Sequence, residues 1–583
     1  MTLSSFAAKQ QPMAPPFPRS RFGWIHARNM ALAAMIGVLS ALPGLFSLPP
    51  LDRDESRFAQ ASVQMLETGD FVRIRFQNEA RNKKPAGIHW LQAASVSIFS
   101  SAPAREIWAY RLPSALGAAL AAALAYLAGA RLFGPRAALM GACLLGASVL
   151  LSTEGMIAKT DAVLCACGAG AFAALAWLRT RPPEEKGRVS AIGFWLAIAL
   201  GVLIKGPIIP GIAAFSLITI GLWEKKWAWM RPLLAPWGPA LALALIAPWG
   251  IAIALATKGQ FFSDALGGDL AGKLALQGAE SHAAPPGLHV LLAPFLSFPI
   301  TLGLPFAAVL AWQALRGARE KSELAGARFA LAWLIPAWIA FELAPTKLAH
   351  YPLPLYPSLA VLAGAGLMEG FAARRGLRLT AAALLVLGAL ALAGLCAGAA
   401  ALAYADQAGA ARRALQVFML LVPICLAVGA LIAWRAKPIF AASLAIALSA
   451  LLLFIARERI APEARNVLVS QQAVLALRRE HLLDPRHQPL LAVGFSEPSL
   501  IFSTNTSTQL AKGQAGALRA KAGQGVLLAQ SEALAFEAGL ARRGLVFVAR
   551  GQPVIGVNYS KGQKVRLQPG EIEISPAAVA QTR

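Results

Sequence analysis

The chain has 583 residues, of which 57% are hydrophobic and only 14% are charged, and its mean hydropathy is +0.57. A soluble domain carries about a quarter charged residues because its surface must face water, so this composition excludes an ordinary soluble protein and predicts a polytopic α-helical membrane protein. The net charge of +25 does not indicate nucleic acid as a partner. Much of the basic charge lies in short loops between apolar runs, as in the cytoplasmic loops of proteins surrounded by membrane lipids.

Taken in chain order, the sequence predicts a tail, a membrane domain and a polar domain. Residues 1–29 form a cytoplasmic tail, and residues 30–456 form a transmembrane domain with about thirteen apolar runs that can cross about 30 Å of hydrocarbon. Residues 457–583 are predicted to form a small α/β domain on the periplasmic side. Its strands are predicted over 490–504 and 544–559, and its helices over 472–483 and 531–544.

Loops rich in Lys and Arg alternate with loops that are poor in them, and the rich set should face the cytoplasm. The other set, which includes the long loop 50–110 and the C-terminal domain, then lies on the opposite face. In a bacterium that face is the periplasm, and the protein is predicted to be a multi-pass protein of the inner membrane.

The long first loop is unusually charged for this chain. Ser56–Thr68 follows an acidic start suited to a helix N-terminus, and Pro85–Phe99 opens with Pro at a helix-start position. Both are predicted to be amphipathic helices that lie along the membrane. Asp54 and Glu55 come just before the first of them, close to a membrane span, where a carboxylate pair is costly without a function.

This acidic pair can act as a general base, an electrostatic stabiliser or a metal ligand. Two like charges in one pocket raise a carboxylate pKa, which favours a base near neutrality. The alternative is structural: Asp54 caps the helix that starts near Ser56, and Glu55 offsets the helix dipole. Arg57 either pairs with Glu55 or completes a cluster of cations.

Several motifs, in one order along the chain, resemble a large group of glycosyltransferases. DESRFA from Asp54, followed by KKPAGIHW from Lys83, resembles the first periplasmic loop of bacterial lipid A aminoarabinose transferases and their relatives in glycosyltransferase family 39, which includes protein O-mannosyltransferases. The further matching motifs are AKTD from Ala158, GVLIKGP from Gly201, TKLAHYPLP from Thr346 and GFSEPSL from Gly494. The lead-in Arg81-Asn82-Lys83 departs from the aromatic and acidic residues common in aminoarabinose transferases, and Ala349 replaces the usual Pro.

The resemblance implies the GT-C fold and a polyprenyl-phosphate-linked sugar as donor. Its matched residues are a catalytic set of Asp54, Glu55 and Asp161 and a basic set of Lys84, Lys205 and Lys347. Ammonium groups suit a phosphate at headgroup depth, so the three lysines, joined by Arg57, are predicted to bind the donor phosphate. Structural alternatives stay open: Asp161 caps the following helix, Lys205 reaches for the interface, and the other two lysines contact lipid headgroups.

Two further positions could contribute to a substrate cavity. Glu280 and His282 lie in the loop 257–287, which in relatives helps to form the substrate site, sometimes with a divalent metal. One Glu-x-His pair is a weak metal signature, so a polar loop contact is the alternative, and the predicted chemistry requires no metal. Tyr351, beside His350, is predicted to line the cavity or to be an aromatic anchor at the membrane interface.

The predicted function is that of a membrane glycosyltransferase that moves a sugar from undecaprenyl phosphate to an acceptor at the periplasmic face, with inversion at the anomeric carbon. Lipid A or another glycolipid of the lipopolysaccharide-bearing envelope is the leading acceptor, and protein Ser or Thr is the competing one. A transporter or flippase for lipid-linked sugars is the alternative from another class. No internal repeat is apparent in the sequence, which weakens that alternative.

Overall fold

The computed structural model describes residues 19–271, 283–317, 324–403 and 409–576. Its α-helices are α1 (Arg19–Ala41), α2 (Asp54–Thr68), α3 (Gly87–Phe99), α4 (Ile107–Phe133), α5 (Pro135–Gly146), α6 (Val149–Met156), α7 (Asp161–Arg179), α8 (Arg188–Lys205), α9 (Ile208–Glu224), α10 (Trp237–Ala256), α11 (Gln260–Phe262), α12 (Leu288–Leu296), α13 (Leu304–Arg316), α14 (Ala325–Leu343), α15 (Tyr356–Gly370), α16 (Arg375–Ala403), α17 (Ala410–Trp434), α18 (Pro438–Phe454), α19 (Val469–Arg479), α20 (Pro498–Ser503), α21 (Gly513–Arg519) and α22 (Ala533–Ala541). Its strands are β1 (Arg75–Phe76), β2 (Glu79–Ala80), β3 (Leu491–Val493), β4 (Gln509–Ala511), β5 (Gly525–Ala529), β6 (Leu545–Ala549), β7 (Val554–Asn558) and β8 (Gln563–Ile574).

The helices up to α18 confirm a multi-pass membrane protein. Within the ranges just given, eight helices are long and apolar enough to cross a membrane, and up to ten spans result if each of two bent helix pairs is counted as one. The bent pairs are α5 with α6, at 53°, and α12 with α13 and its leading turn, at 104°. The predicted count of about thirteen is higher because some apolar runs form shorter helices, such as α9 with 17 residues.

The transmembrane core is built around α4 and α7, which pack closely because small residues line their contact. Gly117 on α4 lies so near Val163 on α7 that a Cβ atom at Gly117 would come within 2.8 Å of the Val163 nitrogen. Small residues allow such close approach of helix backbones in membranes. The contact places the first turn of α7, which begins at Asp161, beside the N-terminal half of α4.

Both predicted helices of the first loop are present as α2 and α3, and α2 is largely buried by protein. Ten residues of α2 are buried, so the helix is covered on most sides. Its end is set by Gly69, whose φ of 70° is in the left-handed region that favours glycine. Phe502 of α20 is fully buried against this part of the chain, with its ring centroid 5.3 Å from that of Tyr110 on α4.

The C-terminal region contains the predicted sheet. The strand order is β4-β3-β5-β8-β6, with β7 also paired to β8; β3 is parallel to β4 and β5, while β8 is antiparallel to β5, β6 and β7. The predictions of strands over 544–559 and of helices near 472–483 and 531–544 are confirmed by β6, β7, α19 and α22. The strand predicted over 490–504 ends at Val493, because Pro498 starts α20 instead.

The C-terminal region docks on the start of the first loop through polar contacts. The Ser499 backbone N–H donates to Asp52 Oδ1 over 3.0 Å, and the Tyr559 hydroxyl contacts the Asp52 backbone. Arg105 in the same loop donates to the carbonyls of Ile501 and Phe502. These contacts place the C-terminal region over the beginning of α2, two residues from Asp54.

Candidate active site

Charged side chains from distant parts of the chain meet where α2, α7 and α8 end or begin on one side of the membrane domain. We call this set the charged cluster; it consists of Asp54, Arg57, Arg81, Lys84, Glu154, Lys159, Asp161, Lys205 and His350. Charges of both signs in a low-dielectric environment interact far more strongly than in water. The cluster is therefore the most polar part of an otherwise apolar domain and the natural place for chemistry.

Glu55 lies beside the charged cluster and forms a buried ion pair with Arg111. Its Oε1 accepts hydrogen bonds from Arg111 Nε, at 2.7 Å, and from the Ala158 backbone N–H, at 2.9 Å. Its Oε2 accepts from Arg111 Nη2 and from the Leu51 backbone N–H. Arg111 also donates to four carbonyls between Gly44 and Pro49, in the segment that follows α1. Glu55 thus connects the start of α2 to the segment before α7. Its ion-pair partner is Arg111 rather than Arg57, while its place in the first turn of α2 is the one expected for a charge that offsets the helix dipole.

Asp54 stands apart from that pair. It is the first residue of α2, the N-cap position belongs to Arg53, and this helix start has no side-chain cap hydrogen bond. Burial raises the pKa of the Asp54 carboxyl, but Lys84, Lys159, Arg81 and Arg57 outweigh burial and hold the pKa below its ordinary value. The upward shift expected for an acidic pair is therefore wrong for Asp54, because its acidic neighbour is neutralised elsewhere and cations surround it. Asp54 is a carboxylate at neutral pH.

Asp161 is the second acid of the cluster. Its carboxylate forms a direct ion pair with Lys205, the last residue of α8, and lies 3.7 Å from Lys159 Nζ and 3.7 Å from His350 Nε2. The α7 N-cap is Thr160, and it makes no side-chain cap hydrogen bond. Asp161 therefore serves in ion pairs rather than as a helix cap, and Lys205 turns toward this acid rather than extending to the interface.

Lys84 comes from the turn before α3 and reaches the same acids from another side. Burial, followed by the charges of Lys205 and Arg81, lowers the pKa of its ammonium to about 7, although Asp161 and Asp54 act in the opposite direction. The Nζ atom also lies 5.0 Å from the centroid of the Phe58 ring. The charged form of Lys84 is therefore incompletely compensated in this position, and an added anion would stabilise it.

The remaining predicted residues divide into three groups. Tyr351 is at the cluster, with its ring centroid 5.7 Å from Lys205 Nζ. Lys347 is only 4% exposed, and its ammonium donates to the carbonyls of Ala284 and Ala344, so it ties two loops together. Glu280 and His282 lie outside the residues that the structure describes. In the ranges that it does describe, no group of three or more His, Cys, Asp or Glu side chains is arranged to hold a metal ion.

Sequence reasoning missed several members of the cluster. Glu154 and Lys159 lie 3.2 Å apart, and His350 Nδ1 lies 3.6 Å from Glu154. Glu154 could have been found as a lone carboxylate in the apolar run that forms α6. Arg111, the partner of Glu55, could have been found in the same way as a lone cation near the start of a membrane span. Ionisable residues in apolar runs are costly and point to paired or functional positions. For His350 the sequence left a polar contact and an aromatic anchor at the interface both open, and its position beside Glu154 and Asp161 was not predicted.

Comparisons with known proteins confirm the resemblance seen in the motifs. Residues 83–251 match the family model described as dolichyl-phosphate-mannose-protein mannosyltransferase. The undecaprenyl phosphate-α-4-amino-4-deoxy-L-arabinose arabinosyl transferase 1 of Pseudomonas fluorescens Pf-5 is 27% identical over 57% of this chain and 59% of its own length, and transferase 2 of strain Pf0-1 is 28% identical over 60% and 62%. The chain thus spans about three fifths of the length of these relatives.

A solved structure shows the fold over nearly the whole chain. ArnT from Cupriavidus metallidurans, in the crystal structure bound to undecaprenyl phosphate, superposes with a TM-score of 0.71, at 19% identity and covering 94% of this chain and 98% of that one. The apo crystal structure of the same protein gives a TM-score of 0.70. The chain has the fold of the GT-C membrane transferases and is similar in sequence to the aminoarabinose group among them.

Proposed function

We propose that this protein is an inner-membrane glycosyltransferase that takes a sugar from a polyprenyl phosphate carrier, undecaprenyl phosphate in a bacterium, and transfers it to an acceptor at the periplasmic face. The observation that carries the proposal is the convergence of one ionised carboxylate, Asp54, with Arg57, Lys84 and Lys205 at one outer end of the membrane domain. A phosphate-linked sugar needs this combination. The leaving phosphate requires cations, and the attacking group requires an acceptor for its proton.

The reaction is proposed as a single displacement with inversion. The acceptor oxygen attacks the anomeric carbon while the bond from that carbon to the phosphate oxygen breaks, and the electron pair of this bond stays on the phosphate. Asp54 orients the attacking hydroxyl and takes its proton as the new bond forms. Lys84 and Lys205, with Arg57, face the phosphate and neutralise the charge that develops on it. Because side-chain cations supply this neutralisation, the proposed reaction needs no metal.

The other predicted acids and lysine receive different roles within this proposal. Arg111 and two backbone N–H groups donate four hydrogen bonds to the Glu55 carboxylate, so Glu55 is a positioning residue that holds Asp54 and the segment before α7 together. Asp161 holds Lys205 in place until a phosphate competes for the ammonium. Lys347 braces the loop that carries Tyr351, since two of its three N–H donors bind backbone carbonyls.

An envelope glycolipid such as lipid A is the proposed acceptor. The curated relatives are named as aminoarabinose transferases that use undecaprenyl phosphate, and two lipid substrates can both enter the site from the bilayer. A protein hydroxyl is the second candidate, because the matching family model is described as a protein mannosyltransferase. The contacts of the charged cluster are compatible with either acceptor, since they concern the donor phosphate and the attacking group.

The test is mass spectrometry of envelope lipids and glycoproteins from cells that carry the wild-type protein, no protein, or Asp54→Asn. We expect a sugar-sized mass to be lost from one product class in both mutants, while the Asp54→Asn protein remains in the membrane. Glu79→Gln is the matched control, because Glu79 is an exposed carboxylate of the same loop outside the charged cluster. Products that are unchanged in Asp54→Asn but lost without the protein would remove Asp54 from the mechanism and favour a transporter.

A further inference from the structure

Glu154 is a buried acid that the proposed mechanism leaves without a role. It lies on α6, near the break before α7, and is 5% exposed. Its Oε2 lies 3.2 Å from Lys159 Nζ, and no other hydrogen-bond donor contacts this oxygen in the described part of the chain. A buried carboxylate is costly unless a charge of opposite sign compensates it, so Glu154 and Lys159 depend on each other.

Lys159 lies within the charged cluster rather than beside it. Its Nζ is 3.7 Å from Asp161 Oδ2, and its charge lowers the pKa of Asp54. The side chain is 11% exposed, compared with 13% for Lys205, which pairs with the same acid. Lys159 and Lys205 therefore approach Asp161 on its two different carboxylate oxygens.

The backbone of the Lys159 segment is held independently of its side chain. The Ser114 hydroxyl donates to the Lys159 carbonyl over 3.1 Å, and the Ala158 N–H donates to Glu55. These backbone contacts hold the segment against α4 and α2 and do not involve the Lys159 ammonium. The direction of the ammonium within the cluster is left to Glu154 and Asp161, and changes at Glu154 can act on the ammonium while the backbone stays in place.

We infer that Lys159 is a further cation of the donor phosphate site and that Glu154 is the positioning residue that keeps Lys159 charged and directed at it. The inference rests on the proposed function, because it extends the phosphate site of the same reaction. The resemblance to known transferases assigned a role to neither residue. Of the AKTD motif, which contains Lys159, only Asp161 was matched to a site residue. A phosphate that enters beside Asp161 is met by Lys159 from one side and Lys205 from the other.

The electrostatic surroundings of Lys159 define a measurement that separates this role from simple packing. Burial lowers the pKa of the Lys159 ammonium, but the facing carboxylates of Glu154, Asp161 and Asp54 outweigh burial and raise it above its ordinary value. His350, from the loop before α15, and Lys84 are the other titratable groups in this shell. Burial lowers the pKa of His350 to about 4, so it is neutral at and above pH 7, and lowers that of Lys84 to about 7, so wild-type binding itself weakens in alkaline solution. Loss of a facing carboxylate lowers the pKa of Lys159, so variants are compared with wild type at the same pH.

The experiment measures binding of decaprenyl phosphate to the purified full-length protein in detergent at pH 7 and pH 9, by tryptophan fluorescence. Compared with wild type at the same pH, we expect Glu154→Gln to bind within about threefold at pH 7 and at least about tenfold more weakly at pH 9, because the pKa of Lys159 falls when its nearest carboxylate is removed. The double variant Glu154→Gln/Lys159→Arg should return to within about threefold of wild type at both pH values, since a guanidinium does not titrate in this range. Packing alone predicts neither the pH dependence nor the rescue.

Glu224→Gln is the matched control. Glu224 is a buried carboxylate at the end of α9, paired with Arg179 and Arg328, outside the charged cluster. Any effect of Glu224→Gln on decaprenyl phosphate binding, relative to wild type at the same pH, should be equal at pH 7 and pH 9. If Glu154→Gln is not recovered folded, Lys159→Gln and Lys159→Arg replace it, with at least about tenfold weaker binding expected for the first and about wild-type binding for the second.

The outcomes distinguish the inference from the function on which it rests. A wild-type protein that does not bind the lipid phosphate at either pH overturns the proposed function and this inference with it. Wild-type binding that Glu154→Gln leaves unchanged at pH 9, or that Lys159→Gln leaves unchanged at pH 7, overturns the inference alone. A loss in Glu154→Gln that is the same at both pH values and that Lys159→Arg does not rescue also overturns it.

Discussion

Lys84 provides the sharpest test of the phosphate site, because it should change its protonation state when the donor binds. In the free protein its pKa is lowered from 10.5 to about 7, mainly by burial and then by the charges of Lys205 and Arg81. A phosphate placed against the ammonium adds the missing counter-charge and raises the pKa again. Binding above pH 7 must therefore take up a proton, and the affinity must depend on pH.

The size of the effect follows from the pKa. Above pH 7 the free protein holds Lys84 mostly neutral, so the affinity should fall about tenfold, or about 1.4 kcal/mol, for each pH unit until the pKa of the bound state is reached. With a pKa of about 7, binding at pH 8 should take up about 0.9 proton. Both quantities can be measured by titration calorimetry with decaprenyl phosphate, in buffers of different ionisation heat between pH 7.5 and 9.5. The lipid phosphate is fully ionised in this range, since its second pKa is about 6.

Lys84→Arg and Lys83→Arg are the paired variants. Lys84→Arg should bind the lipid phosphate with little dependence on pH and without proton uptake, because a guanidinium keeps its charge in this range. The second changes an exposed neighbour and should keep the wild-type slope. An affinity that does not change in wild type between pH 7.5 and 9.5, or a slope that persists in Lys84→Arg, would refute the assignment of Lys84 to the phosphate.

Three further predictions concern stability and cofactors. Arg111→Met should destabilise the protein by about 3–5 kcal/mol and lower its melting temperature in detergent, because Glu55 is left buried without its cation; melting at the wild-type temperature would contradict the bracing role. Burial is the main cause that raises the pKa of Asp52 from 3.8 to about 6, so the folded state binds the extra proton and stability falls as pH rises from about 4 to 6. Asp52→Asn, which can still accept from the Ser499 N–H, should therefore gain up to about 3 kcal/mol at pH 8 and little at pH 4 in thermal unfolding; an equal gain at both pH values would count against this account. Sugar transfer should persist in excess EDTA because side-chain cations face the phosphate, and a loss that Mg²⁺ or Mn²⁺ restores would show a metal in the reaction.

Much of this protein could be predicted from patterns within short stretches of sequence. Membrane insertion follows from apolar runs of spanning length, and the loop helices α2 and α3 follow from acidic and Pro start signals. The candidates Asp54, Asp161 and Lys205 stand out because a charge beside or inside an apolar run is costly without a partner or a function. The structure brings all of these residues to one place.

The pairing of charges could not be read from the sequence. Glu55 meets Arg111 across 56 positions, and Lys205 meets Asp161 across 44, so no local spacing relates the partners. The pKa of Asp54 was predicted in the wrong direction for this reason: its sign depends on which neighbours are neutralised elsewhere. The use of Lys347 on two backbone carbonyls could not be foreseen either, since a motif shows a residue type but not the direction of its side chain.

The sequence by itself thus determined the class of protein, the stretches where polar chemistry is concentrated, and the residue types available for it. Local periodicity and the cost of charges near hydrocarbon are sufficient for that. Only the tertiary structure decided which acid is free and which is a brace, and it added Glu154 and Lys159 to the site. These outcomes depend on close contacts between α2, α4, α6, α7 and α8, because an ionic interaction in a protein interior is set by distances of a few ångströms between groups that the chain keeps far apart.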